Sequence, residues 1–243
     1  MSEILNEARS TLVPDRESRH GPLPPLMLVL TVVTGFVDAY SYLALGRVFV
    51  ANMTGNVVFT GFALAGQSEF SLGASLCALA SFAVGALAAG RVTRASREHR
   101  GKLLHHVLLL EFALLVVAYF LAQLGPATSH PGMRYVLIVL LGLAMGVQNA
   151  AARVLAVPDL TTTVLTLTIT GTSADSRLAG GPGGKAGRRL LSVFAMFLGA
   201  LFGALAVVQG HSGVALLCPM LLVAGALVLA TRLVHSEDPW TRP

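Results

Sequence analysis

Residues 35–61 read Gly35-Phe-Val-Asp38-Ala-Tyr-Ser41-Tyr-Leu-Ala-Leu-Gly-Arg47-Val-Phe-Val-Ala-Asn52-Met-Thr54-Gly55-Asn56-Val-Val-Phe-Thr60-Gly61. An apolar run carries a carboxylate, is interrupted at Gly46 and Arg47, and resumes around two asparagines and two threonines. The composition around it decides the class. Of 243 residues 54% are apolar and 12% charged, with a mean hydropathy of +0.72. An ordinary soluble domain carries about twice that share of charge. The apolar residues fall into eight blocks, at 26–46, 50–66, 70–90, 103–124, 135–152, 160–174, 189–209 and 213–234. Six of these are long enough for a hydrocarbon core of roughly 30 Å at about 1.5 Å per residue. The fold expected is an all-α polytopic membrane protein.

The remaining composition excludes several classes. Two cysteines cannot build a disulfide scaffold, and no Cys/His spacing matches a zinc site. No other metal and no cofactor is expected. A net charge of +5 is compatible with nucleic acid, but nine of the 17 Lys and Arg lie in two short loops between apolar blocks, where membrane proteins keep them. The bilayer is the expected partner, and nucleic acid is not. Residues 1–25 mix both charges with four prolines and lack a signal-peptide pattern. They read as a disordered cytoplasmic tail, and 235–243 as a second cytoplasmic tail.

Charge parity sorts the blocks. Arg91, Arg94, Arg97, Arg100 and Lys102 form one basic loop, and Arg177, Lys185, Arg188 and Arg189 the other. Both should face the cytoplasm, yet three apolar blocks separate them. If the two short blocks, 50–66 and 160–174, enter the membrane and return, six crossings remain. All basic residues except Arg47 and Arg134 then lie inside, with both chain ends cytoplasmic. Eight full crossings would divide them about evenly.

The halves 26–124 and 125–234 also match each other. Gly35-Phe-Val-Asp38-Ala39 resembles Gly146-Val-Gln148-Asn149-Ala150, and Asn52, Asn56 and Thr60 fall on Thr162, Thr166 and Thr170. Spacing of four keeps such groups near one helix face. With three crossings between the halves the repeat is inverted, and short or Gly/Pro-interrupted segments at matching positions then point to a transporter's binding site. The interruptions lie at Asn52-Met-Thr-Gly-Asn56 and Val157-Pro-Asp-Leu-Thr-Thr-Thr163. Gly55 there permits an unusual backbone angle, Pro158 disfavours helix at Val157, and an Asn or Asp beside a break can cap the half-helix that follows.

These same motifs, with Pro158-Asp-Leu-Thr-Thr-Thr163 and Arg153, resemble the YoaK family of bacterial membrane proteins, a group of unknown function. The resemblance covers about residues 26–234. It implies a bacterial inner-membrane location, and no substrate or activity.

The candidate path-lining residues are Asp38, Ser41, Asn52, Thr54, Gly55 and Asn56 in the first half. In the second they are Gln148, Asn149, Arg153, Asp159, Thr162, Thr163 and Thr166. An ionised carboxylate within a crossing is costly, so Asp38 is either a proton, cation or substrate site or a paired acid bonding Asn149 or capping broken helix. Glu111 either relays protons with Asp38 or lies solvated near the headgroups beside His105 and His106. Arg153 either holds a polar or anionic solute or marks the cytoplasmic interface. The threonines either line a path or bond back to their own helix. Gly85, Ala89, Gly199 and Gly203 are small-residue pairs suited to close helix contact.

Two functions stay open on these residues. One is a small-solute secondary transporter or channel-like permease with a polar site at the repeat axis, proton-coupled if Asp38 titrates. The other is a non-transport scaffold, partner subunit or sensor. No nucleophile with a base and no metal cluster supports an enzyme. The solute or ion is unspecified, and so small a bundle is compatible with a homodimer.

Overall fold

The computed structural model describes residues 2–15, 17–95, 98–125, 131–163, 165–176, 179–181 and 186–242. Arg16, Arg97, Arg177 and Lys185, on which part of the charge reading rests, lie outside the described residues, as do residues 126–130 at the start of the second half.

The described elements are helices α1 (Ser2–Leu12), α2 (Leu23–Ala44), α3 (Met53–Leu64), α4 (Leu72–Ala95), α5 (Arg100–Gln123), α6 (Pro131–Leu155), α7 (Leu165–Ala174), α8 (Ala186–Val208) and α9 (Ser212–Leu233), then a 3-10 turn at Pro239–Thr241. Among the described residues six helices, α2, α4, α5, α6, α8 and α9, are long and apolar enough to cross a bilayer. α3 and α7, with 12 and 10 residues, reach only about 18 and 15 Å. Leu76, Val84, Leu87, Phe120, Phe194 and Phe197 stand exposed, a surface that acyl chains solvate and water does not. The chain is a polytopic all-α membrane protein.

Helix directions separate six crossings from eight. Gly46, just beyond α2, lies against the Arg134 guanidinium near the start of α6. Thr34 is bonded by Gln148 further along, and Arg100 joins the Arg19 and Leu155 carbonyls at the far ends. α2 and α6 are therefore antiparallel. α5 and α9 are antiparallel too, with Gly101 against Leu233 and Gly213 against Gln123. Eight successive crossings would make both pairs parallel. α2 and α8 run in the same direction, Val32 meeting Gly199 and Phe36 meeting Gly203, so α6 and α8 are opposed. α3 and α7 thus return the chain to the side from which they left it.

The long helices form two groups. α2, α8 and α9 pack together, as do α6, α4 and α5, and α5 lies against α9 between the groups. Exchanging α2, α3, α4 and α5 for α6, α7, α8 and α9 reproduces these pairings. α2 and α6 are central: 72% and 61% of their most apolar stretches are buried, against 22–39% for the other four. Each makes one backbone-to-backbone crossing. A methyl group at Gly35 would lie 2.5 Å from the Met196 carbonyl oxygen, and one at Gly199 2.1 Å from that of Val32. In the other group the figures are 2.1 Å from Phe82 oxygen at Gly146 and 2.2 Å from Leu143 oxygen at Gly85. Without a hydrophobic force between helices in lipid, such close van der Waals approach is what holds them.

The tails correct one expectation. Residues 2–12 are helical and not a disordered leader. The Glu7 carboxylate accepts the Gly187 N–H at 3.0 Å, answering a free donor in the first turn of α8. Gly187 lets the α1 backbone come close, since a Cβ there would sit 2.4 Å from the Ile4 oxygen. At the other end Trp240 is buried against Gly21, so both chain ends share one end of the bundle. Burial, with Arg100, Arg188 and Arg19 nearby, holds the His20 imidazole below its ordinary range.

Gly146→Val should overpack the α4–α6 crossing and cost about 2–3 kcal/mol, a fall of roughly 4–12 °C in apparent midpoint in detergent melts. Gly225→Ala, with open space at the same atom, should leave the midpoint unchanged or slightly raised.

Candidate functional site

α2 ends where Gly46 adopts a φ of +90° and the Arg47 N–H returns to the Tyr42 carbonyl at 2.9 Å, a helix stop that favours glycine. The chain beyond it is not helical until Met53, yet Val48, Val50 and Ala51 are buried. Their backbone groups need partners in a medium without water. Asp38 supplies two: Oδ1 accepts the Val50 N–H at 3.0 Å and the Ala51 N–H at 2.8 Å. Asn56 serves Phe49, Oδ1 accepting the Phe49 N–H at 3.0 Å and Nδ2 donating to the Phe49 carbonyl at 2.6 Å.

This geometry bears on several of the alternatives. Asp38 makes no bond to Asn149; it holds the break ahead of α3. Asn52 occupies the N-cap position of α3 without a capping bond from its side chain, because Asp38 reaches the break from α2. Gly55 is an ordinary helical glycine, not one with an unusual angle. Its missing Cβ makes room for the Phe49 ring, which would lie 2.6 Å away. Ser41 is fully buried and donates to the Asp38 carbonyl.

The second break has a different construction. Ala156, Asp159 and Thr162 have φ of +47°, +63° and +64°, each a strained conformation for a residue with a Cβ, most of all for β-branched Thr162. Leu160 N–H returns to the Val157 carbonyl at 3.2 Å, closing a turn with Pro158 and Asp159 in its middle, where left-handed Asp is tolerated. Asn149 accepts the Thr163 hydroxyl at 2.7 Å and donates to the Met145 carbonyl. Arg189 donates through Nε to Asp159 at 2.9 Å and through Nη1 to Asp175 at 2.8 Å, with its guanidinium against Gly171. The ion pair was legible only in that Arg189 opens an apolar block, where a charge requires a counter-ion; Asp175 gave no signal of its own.

Of the sequence candidates, Asp38, Asn52, Thr54, Gly55, Thr163 and Thr166 line one cavity of about 810 Å³, within the ~300–1,000 Å³ of small-molecule sites. It lies between α2 and α8 on one side and α3 with Phe82 of α4 on the other, and the two broken segments meet across it. The rest stand outside this lining. Asn56 is buried behind the break, Thr162 is buried with an unpartnered hydroxyl, and Gln148 bonds Thr34 and the Leu30 carbonyl across the two central helices. Arg153 is exposed near the end of α6, as an interfacial arginine would be. Glu111 is fully buried with neither carboxylate oxygen partnered, which removes the solvated reading, and it is not among the cavity residues. Asn52, Asn56 and Thr60 form no common polar stripe: Asn52 is exposed, Asn56 buried, and the Thr60 hydroxyl donates to the Asn56 carbonyl.

Residues 26–229 match the family model described as "Protein of unknown function (DUF1275)". The chain belongs to that family. It is also 35% identical to the UPF0700 transmembrane protein YoaK of Bacillus subtilis (strain 168) over 146 residues, 59% of this chain and 63% of that protein. The match thus spans less than two thirds of the relative's length. None of the solved structures matches this chain.

Asn56→Ala should leave the Phe49 N–H and carbonyl unpaired and lower stability by about 2–4 kcal/mol, read as an earlier thermal unfolding in detergent. Arg189→Gln strands two carboxylates. It should raise hydrogen exchange across residues 156–176 while leaving 46–60 as protected as in the parent chain.

Proposed function

We propose that this protein is a small-solute permease of the bacterial inner membrane, with its polar site in the cavity between the two helix groups. One observation carries the reading: both chain breaks, far apart in sequence, border the same cavity. Irregular backbone at membrane depth is tolerated where it is buried in protein or lines a water-filled space. The exchange relation between the helix groups supports an inverted repeat, the architecture in which such breaks bind substrate. Rocking of α2, α8 and α9 against α4, α5 and α6 about the α5–α9 seam would open the cavity to either face in turn. The basic residues beside the tails favour a cytoplasmic location for both chain ends. Proton coupling through Asp38 fits this scheme; a direct relay to Glu111 draws no support from the cavity lining.

The competing reading, a membrane scaffold or sensor, draws on Asp38 and Asn56 serving the break itself. Access to the cavity separates the two. Asn52→Cys and Thr166→Cys, in a chain with Cys77 and Cys218 replaced by serine, should react with an impermeant maleimide from both faces of oriented vesicles. Labelling from one face alone, or from neither, would sink the permease reading.

A further inference from the structure

We propose that the cavity selects an organic cation, an alkyl- or arylammonium group, with Asp38 as its counter-charge; this rests on the permease reading and names its substrate class. Among the described residues lining the cavity, Asp38 is the only one with a formal charge, and no Lys, Arg or His accompanies it. An anion would meet that carboxylate with no cation to offset it. The first turn of α3 also lines the cavity and its N–H groups favour negative charge, but Asp38 already faces that end by holding Val50 and Ala51. The negative group the helix terminus attracts is therefore built into the protein.

The walls distinguish organic from inorganic cations. Tyr42, Phe49 and Phe59 form a stacked cluster, with ring centroids 5.0 Å apart for the first two and 5.6 Å for the last two. All three reach the cavity, as do Phe82, Met53 and Met196. Small metal ions bind where six or more oxygens converge, which aromatic rings and thioethers do not provide. A diffuse ammonium charge gains from ring faces and from a carboxylate together. Thr54, Thr163 and Thr166 and the Asn52 amide leave room for a polar substituent.

The full chain in detergent would be melted with benzyltrimethylammonium chloride, sodium benzoate, glucose, and sodium chloride at matched ionic strength. Benzyltrimethylammonium should raise the midpoint by about 5 °C or more at a hundredfold excess over Kd, and the other three should not. Thr166→Lys, which sets a fixed cation in the cavity, should abolish the rise, and Thr166→Glu should preserve it. Asp38→Asn should abolish it as well; if that variant does not fold, the Thr166 pair decides. A rise with benzoate or glucose instead, a benzyltrimethylammonium rise that survives Thr166→Lys, or no rise at all would overturn the cation assignment. Two-sided maleimide labelling alongside such a result would leave the permease reading standing with a different substrate.

Discussion

The structure depends on keeping an interrupted backbone inside a medium that cannot hydrate it. Between α2 and α3 four buried or part-buried backbone groups, the Phe49 N–H and carbonyl and the Val50 and Ala51 N–H, have no helical partner. Left unpaired in hydrocarbon, each would cost several kcal/mol. Together they would exceed the marginal stability of most folds. Two side chains, Asp38 from the preceding helix and Asn56 from the following one, answer all four. Tyr42, Phe49 and Phe59 close over them as a stacked cluster, and Gly55 admits the Phe49 ring. The polar residues that stand out in the sequence are, first of all, the conditions under which the break can exist.

That constraint sets the positions of the long helices. Because α3 and α7 do not traverse the bilayer, each half contributes an odd number of crossings, and the halves lie in opposite senses. α2 then finds its glycine crossing with α8 of the other half, and α6 finds the corresponding one with α4. Each helix group is therefore drawn from both halves, so moving one group against the other moves both breaks relative to the cavity they share. The central helices are pinned to one another by Gln148 on Thr34 and the Leu30 carbonyl. Gly35 and Gly146, which make the crossings, lie within three residues of that pair.

Much of this was legible because bilayer physics writes itself into composition. Length and apolarity identified the crossings, and the clustering of arginines favoured six of them over eight before any helix direction was known. Glycine spacing anticipated the contacts of Gly85, Gly199 and Gly203. Side-chain assignment within the breaks was less legible, because residue type does not say which backbone group a side chain will meet. Asn52 and Asn56 look alike in sequence, yet one is exposed and the other is clamped to Phe49. The order in α1 was hidden because a short charged helix gains stability from the surface it docks on, here Gly187 and the first turn of α8. The Arg189 ion pairs joined residues 14 and 30 positions apart, with no local pattern to announce them.

The two breaks solve one problem with unequal means. The first uses a carboxylate on backbone amides and turns left-handed at Gly46 and Arg47. The second uses a neutral amide, Asn149, on a hydroxyl, and sets alanine, aspartate and threonine in left-handed conformations. A second carboxylate at position 149 would bring another negative charge toward the cavity that Thr163 borders, and two like charges sharing a low-dielectric site repel strongly. Asp159, the carboxylate of the second break, is paired with Arg189 outside the cavity lining, which leaves Asp38 as the one charged group among the described residues that line it. The second break is tied at Asp159 to Arg189, which also bonds Asp175. It lies at the end of the bundle where both chain ends and Arg100 converge. If the cavity takes a cation, charge selection falls to the first half, whose Asp38 borders it, while the second half contributes to the lining only uncharged residues such as Thr163 and Thr166.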